Sequence, residues 1–558
     1  MTPSSNSLII GKPRFLDEDL EKLAASQGAL AAWQAAYGRY GIQTPNHVAG
    51  DYAIAFQTPD GGVFMAVDKF AVRSLCYRHK DRQLSFAERA DEVAGGMAEI
   101  DPQAIFDYFY FHTIPSPRTI FQGVYRLPPA HYAIFNNGVL TVAPYWVPTF
   151  EEPRQASFDQ LRTEFRELLQ QAVARQLDGG KAGCFLSGGT DSSTVAGMIG
   201  QVLGRPAASY SIGFEAEGYD EMEFARLASK QFNTEHHEYY VTPQDLLRSI
   251  PQVAASYDQP FGNSSALPAY YCAKMAREDG VTRILAGDGG DELFGGNSRY
   301  SKQRVFNFYQ NVPGVIRESV LEPFLGTGIG KGIPLIRKAA SYVEQASVPM
   351  PDRLQMYNLV TRLGLKQVFT EGFLSGVDLA APLQLQRQVW NSPQASSATN
   401  RELAFDWRFT LGENDLPKVC GTTRLAGLEV GFPMLDEELL EFSLKLPTDY
   451  KLKGLKLRWF FKEALRGFLP DEILTKKKQG FGLPFGVWTA KDSALKSLAE
   501  DSVRGLVDRE ILRADFVDAL FSRYLYEHPG YYGEMIWISM MMEQWFRGQS
   551  ARSASANS

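Results

Sequence analysis

The stretch that most restricts how this chain can fold runs Gly183-Cys184-Phe185-Leu186-Ser187-Gly188-Gly189-Thr190-Asp191-Ser192-Ser193. An apolar run passes into a loop of glycines and hydroxyls, then straight into a helical segment carrying Val195, Ala196 and Met198. A short apolar strand that turns at once into a helix suits a sheet covered on both faces. The neighbouring sequence keeps the rhythm, with a helix over 158–175, the strand ASYSIGF at 208–214 and a helix over 220–232. The strand-like HHEYYV, a helix over 265–279 and TRILAGDGGDE at 282–292 continue it. This alternation predicts an α/β architecture with a parallel sheet between helices.

The loop itself has the makings of a phosphate cradle. Gly188 and Gly189 let the backbone approach an anion closely, Ser187, Ser192 and Ser193 add hydroxyl donors, and the following helix N-terminus favours negative charge. The plainer alternative is a polar strand-to-helix turn with a good cap. A Walker loop is excluded, because G-x4-G-K-[ST] supplies a lysine that this loop lacks. Gly326–Gly332 (GTGIGKG) lacks the first glycine and the terminal hydroxyl residue of that pattern and reads as a flexible helix connection.

Ahead of this region the pattern differs. Leu16, Leu20, Leu23, Leu30, Trp33 and Tyr37 fall at helical spacing before Gly41. From Asp51, the segments YAIAF, GGVFMAVD and LCYR alternate with turn residues, and Asn137-Gly138 inside HYAIFNNGVLTVAPYW predicts a tight hairpin. Polar, proline-bearing residues 149–157 read as a linker, placing a domain boundary near 150. A second domain is expected over 151–546, mostly helical in its later part, and 547–558 reads as a disordered tail.

Composition narrows the partners. A net charge of −7 and a pI near 5.7 provide no basic field for nucleic acid. The four cysteines, Cys76, Cys184, Cys272 and Cys420, fit neither a disulfide framework nor CxxC metal pairs, which points to a reducing cytoplasm. No secretory leader pattern and no apolar stretch of about 18 residues is present, so membrane insertion is not expected. A homodimer stands as an open alternative to a monomer.

The segments SGGTDSS, SIGF and LAGDGGDELFGG, in that order, closely resemble the synthetase domain of asparagine synthetases and their relatives. ENDLPKV, FPMLDEELLEFSLKLP, LPDEI and KKKQGFGLPFGVW extend the resemblance downstream, and DYAIAF, VDKFAVRSLCYR and IPSPRTIFQGVYRLPPAHY extend it upstream. The resemblance implies a degenerate Ntn-type, glutaminase-like α+β domain followed by a PP-loop ATP-pyrophosphatase domain. It implies that a carboxylate attacks the α-phosphorus of ATP, that pyrophosphate leaves, and that ammonia or an amine then displaces AMP to form an amide. By resemblance, Asp191 and Asp291 hold Mg2+, and Leu186, Ile212, Ala286 and Gly287 hold the adenosine or AMP. Asp288 replaces a glutamate common at that position and is the candidate base or orienting group for the amine. Lys478 matches the lysine that stabilises charge on the pentavalent centre or pyrophosphate, with Lys476 assisting.

The chain also departs from the family. No cysteine precedes Cys76, where glutamine-dependent members begin with a cysteine nucleophile, and Met1-Thr2-Pro3 is a poor substitute. The family's S-D-T-E segment is replaced by Gln27-Gly28-Ala29-Leu30, its K-V-D-R by Lys418-Val419-Cys420-Gly421, and its E-V-R by Glu429-Val430-Gly431. Nitrogen is therefore expected from free ammonia, from an amine substrate or from a separate supplying protein, and acceptor recognition is expected to differ. The carboxylate could belong to a small molecule or a peptide. Two alternatives stay open: an intramolecular amide former like beta-lactam synthetase or lasso-peptide cyclase, and a non-catalytic nucleotide-binding scaffold.

Overall fold

The computed structural model describes residues 7–95, 98–151, 156–310, 342–476 and 482–556. GTGIGKG lies outside them, as does Lys478. In the first half, β1 (Ser7–Gly11), β2 (Tyr52–Gln57), β3 (Val63–Val67), β4 (His131–Asn136) and β5 (Val139–Pro144) form a sheet in chain order, with every pair antiparallel. The β4–β5 hairpin turns at Asn137-Gly138, where both residues have positive φ, as a tight two-residue turn requires.

Strand periodicity divides this sheet's contacts. Tyr52, Ile54 and Phe56 pack with Trp33 from the helix pair Glu18–Gln27 and Ala29–Tyr40, which breaks at Gly28 with φ 90°. Ala53 and Ala55 point the other way, toward Leu75 and Tyr77 beside a small second sheet of Cys76–Lys80, Gln83–Ala87 and Tyr125–Arg126. A one-residue slip would exchange the two faces and bring the large rings against the alanine layer.

The second half opens with α1 (Phe158–Gln176), started by a reciprocal capping box between Ser157 and Gln160. Its sheet contains β6 (Ala182–Phe185), β7 (Ala208–Phe214), β8 (Glu235–Val241), β9 (Arg283–Leu285) and β10 (Glu429–Gly431). All pairs are parallel and the order is β8-β7-β6-β9-β10, so the winding reverses between β6 and β9. Helices α2 (Thr190–Leu203), α3 (Met222–Phe232), α4 (Pro243–Ser256) and α5 (Ala266–Glu278) supply the connections. The fifth strand was not expected from the sequence; three residues are too few to display a period. It is recruited by pairing, with Leu285 opposite Gly431.

The described residues between β9 and β10 include further helices, among them α6 (Leu416–Ala426), and the last described element is α7 (Pro529–Ala556). Residues 547–556, expected as part of a disordered tail, instead continue α7. Buried Trp545 commits the helix to the core, while Arg547 reaches Asp501 at 2.6 Å and Arg552 reaches Asp91 at 3.3 Å. Among the described residues no helix is long and apolar enough to cross a membrane.

The halves share one apolar cluster in which Phe109 meets Phe369 and Phe121 meets Trp545. Between them lies Glu413, only 3% exposed, which accepts hydrogen bonds from the Ser116 N–H at 3.1 Å and the Ser116 hydroxyl at 2.7 Å. Arg408 approaches it at 2.7 Å and Arg126 pairs with it as well. Burial alone would raise this carboxyl, but the two arginines outweigh it and hold it below the ordinary glutamate range.

Candidate active site

The reversal of winding leaves a crevice beyond the carboxyl ends of β6 and β9, where open α/β sheets bind ligands. A cavity of about 1020 Å3 occupies it. Leu186, Ser187, Gly189, Asp191, Ser192, Ile212, Gly287, Asp288, Asp291 and Lys476, all expected from the sequence, line this one space. Gly188, Ser193 and Ala286 do not line it.

Their placement follows from the local fold. The Leu186 N–H donates to the Tyr210 carbonyl at 2.9 Å, extending the β6–β7 ladder by one bond before the loop turns away. Gly188 has φ +70°, and a Cβ there would lie 2.4 Å from the Phe224 carbonyl carbon, so the position needs glycine on both counts. Ser192 Oγ lies 3.0 Å from Ser187 Oγ and donates to the Gly189 carbonyl at 3.3 Å, which ties the loop to the start of α2. Ser193 is buried under the loop, and its hydroxyl has no hydrogen-bond partner among the described residues. The Ala286 N–H is taken by the Gly431 carbonyl at 2.9 Å, so this residue belongs to the sheet.

The glycines of Gly287–Gly296 make room for carboxylates. A Cβ on Gly290 would sit 1.9 Å from Asp191 Oδ1, and one on Gly296 would sit 1.7 Å from Asp291 Oδ1. Two loops from adjacent parallel strands are thereby pressed together with their aspartates converging.

The cation between those aspartates is Arg458, a residue the sequence reading missed. Its Nη1 lies 2.7 Å from Asp191 Oδ2, 2.7 Å from Asp291 Oδ1 and 2.8 Å from Thr190 Oγ1, and Nη2 also bonds Asp191. The side chain is 5% exposed and its guanidinium lies 3.9 Å from the Phe461 ring centroid. Burial would lower its pKa, but Asp191 and Asp291 overcome that and hold it above the ordinary arginine range. Its backbone is left-handed, with φ 53°, an uncommon conformation for a long side chain that is associated with functional positions. The one available signal was its place within a basic segment, Lys451 to Lys462, which reads first as a solvated face.

Other charges arrange themselves around this centre. Lys418 Nζ lies 3.6 Å from Asp288 and 2.9 Å from Asp415. Burial pushes the Asp288 carboxyl up, Lys418 opposes this, and Asp415 reinforces it. Burial would lower Lys418, yet Asp415 and Asp288 hold it above the usual lysine range. Lys476 pairs with Glu221 at 2.8 Å and lies 4.4 Å from the Phe224 ring centroid. Lys462 also lines the cavity and makes no ion pair among the described residues; burial first, then Arg458, lowers its pKa.

Within the altered family segments Lys418 and Val419 line the cavity, but the replaced positions face elsewhere. Cys420 Sγ faces the Val72 carbonyl at 3.6 Å, in the first half of the chain, and a Cβ on Gly421 would strike the Tyr257 ring at 2.4 Å. A Cβ on Gly431 would meet Gln176 Oε1 at 2.5 Å, beside the buried Arg283. None of the three lines the cavity. The thiols are equally remote from nucleophilic chemistry: burial pushes Cys184 up to about 12, and Cys272, though at the cavity wall, is raised by burial as well.

Among the described residues no group of three or more His, Cys, Asp or Glu side chains could hold a metal ion. Two carboxylates converge, and an arginine bridges them. Their hard oxygen donors and shared focus fit Mg2+ when a nucleotide contributes further oxygens.

Similarity to known proteins covers both halves. The Asparagine synthase family model matches residues 164–547, and the Glutamine amidotransferase domain model matches 29–146. Asparagine synthetase [glutamine-hydrolyzing] 1 of Bacillus subtilis is 24% identical over 478 residues, 85% of this chain and 73% of its own. A putative asparagine synthetase [glutamine-hydrolyzing] of Mycobacterium tuberculosis is 25% identical over 481 residues, 83% of this chain and 71% of its own. One from Methanocaldococcus jannaschii is 30% identical over 295 residues, covering 50% and 56%. These relationships support an ATP-dependent ligase of the amidotransferase type. With more than half of its length matched by the synthase model, the chain belongs to the asparagine synthetase family.

Proposed function

We propose that this protein binds ATP in the crevice between β6 and β9, adenylates a carboxylate with release of pyrophosphate, and transfers the acyl group to ammonia or an amine. The observation that carries this reading is the convergence of Asp191, Asp291 and Arg458 beside the Ser187–Ser193 loop. A cavity of about 1020 Å3 lies at the upper end of the range for ligand sites, which suits a nucleotide together with an acyl substrate.

In this reading Leu186, Ile212 and Gly287 receive the adenosine, and the loop's N–H groups with the N-terminus of α2 receive the phosphates. Mg2+ held by Asp191 and Asp291 would neutralise charge accumulating on the departing pyrophosphate. Arg458 and Lys462 supply positive charge beside the phosphates, and Lys476 adds charge at the cavity wall. Such donors accelerate the step because they act more strongly on the charge that develops than on the ground state. Lys478, matched to the family lysine, adds a further cation in this proposal. In the second step the amine nitrogen bonds to the acyl carbon, the bond to the AMP oxygen breaks, and Asp288 accepts the proton lost by nitrogen. Lys418 favours the ionised form of Asp288 against the opposing effect of burial and orients it for that role.

In this reading none of the described residues of the first half acts as a glutaminase nucleophile. Cys76 is fully buried, and burial raises its thiol. Nitrogen then comes from ammonia, an amine substrate or a separate protein, in the cytoplasm. Pyrophosphate release by the full chain, measured against a panel of small and peptide carboxylates, is expected to require the acid and to vanish in Asp191→Ala. Release from wild type that ignores every added acid would refute adenylation. Product mass spectrometry with 15N-ammonia and 15N-amide glutamine tests the nitrogen source, and incorporation from glutamine by the purified chain would refute the second claim.

A further inference from the structure

Two carboxylates that meet in a sparsely solvated crevice repel each other unless a cation lies between them. Among the described residues a side-chain nitrogen bridges them: Arg458 Nη1 is 2.7 Å from an oxygen of Asp191 and 2.7 Å from an oxygen of Asp291. The surroundings are built to hold it there. The Arg458 N–H donates to the Gly295 carbonyl at 3.1 Å, the guanidinium lies on Phe461, and a Cβ on Gly296 would press to 2.6 Å from Arg458 Cδ.

A metal ion on the same two oxygens would compete with this arrangement. Arg458 Nη1 lies 2.7 Å from each oxygen, and Mg2+ binds an oxygen at about 2.1 Å, so an ion sharing these oxygens would stand at most about 4.8 Å from Nη1, where two positive charges repel each other. We propose that Arg458 is a place-holder: in the nucleotide-free protein it occupies the divalent-cation position, keeps Asp191 and Asp291 converged, and must leave them when the nucleotide and its metal bind. The guanidinium is then released beside the phosphates, where its charge is next required. This rests on the proposed nucleotide reading and adds that the empty enzyme selects against free divalent ions.

Mn2+ binding to the nucleotide-free full chain, followed by the electron paramagnetic resonance of free Mn2+, tests it. In Arg458→Gln the affinity is expected to rise at least about tenfold, and adding Asp191→Asn should abolish the gain. In Arg458→Lys, a compact point charge that cannot fork between both carboxylates, a gain of at least about threefold is expected. Unchanged Mn2+ affinity in folded Arg458→Gln and Arg458→Lys overturns the proposal. If the glutamine variant does not fold, the lysine variant decides alone. Wild type that releases no acid-dependent pyrophosphate would remove the adenylation reading whatever the Mn2+ result. Intact release with unchanged Mn2+ affinity would remove the place-holder alone.

Discussion

Glu413→Gln isolates the polar lock between the two halves. The amide keeps the shape and can still accept from Ser116, so what is lost is the negative charge facing Arg408 and Arg126. Those arginine side chains are 12% and 15% exposed and would be left without that counter-charge. Breaking one side of a buried ion pair costs about 3–5 kcal/mol, whereas Ser116→Ala, which removes a single hydroxyl donor, should cost about 1–2 kcal/mol. A chain of this size is not expected to unfold in one step, so the readout is amide hydrogen exchange over 101–126 and 407–418. Both segments should open more readily in Glu413→Gln by that amount, with distant strands such as β2 unaffected. The pH dependence has a definite sign. Because the Glu413 carboxyl is held below its ordinary value, its contribution is present above the unfolded value of about 4.3 and is lost as pH falls through the folded pKa. The gap between wild type and variant should therefore be full at pH 6 and shrink on acidification. Exchange in the variant within about 0.5 kcal/mol of wild type at pH 6 would refute the lock.

Gly290→Ala places a methyl carbon 1.9 Å from Asp191 Oδ1, so pyrophosphate release should fall by at least about 100-fold while far-UV circular dichroism is retained; normal release would show that the loops are free to part. Lys418→Met removes the charge that counters the raised Asp288, so the acid limb of amide formation should move to higher pH, since the base must be ionised and its carboxylate is now harder to form. An unmoved limb in the pH–rate profile would exclude Asp288 as the titrating group. The buried Cys76, Cys184 and Cys272 should resist a disulfide-exchange reagent at pH 8 until the protein is unfolded, and rapid modification of the native chain at any of them would contradict their placement.

The parallel sheet and its loop were legible because their signals are local. An apolar strand, two glycines and a helix cap constrain neighbouring residues, and Asn137-Gly138 does the same for the hairpin. Spacing carried no such information for the altered segments. Cys420, Gly421 and Gly431 looked like changes to acceptor recognition, yet they face Val72, Tyr257 and Gln176, because residues within a few positions of a site can point away from it. Ser193 shows the same limit one residue beyond Ser192: the rotation of about 100° between neighbouring helical residues puts one side chain at the cavity and buries the other away from it. The strand β10 and the end of α7 needed partners before they had a structure to display.

The phosphate-cradle character of the Ser187–Ser193 loop was therefore determined by the sequence alone, since backbone freedom and hydroxyl donors are properties of the residues that carry them. Gly287–Gly296 was marked in the sequence only by resemblance, and its close approach to Asp191 was decided by the fold. Arg458 was decided by the tertiary structure. It lies 267 residues from Asp191 and 167 from Asp291, and its charge became part of the site only when the fold buried the guanidinium and brought the two carboxylates onto it.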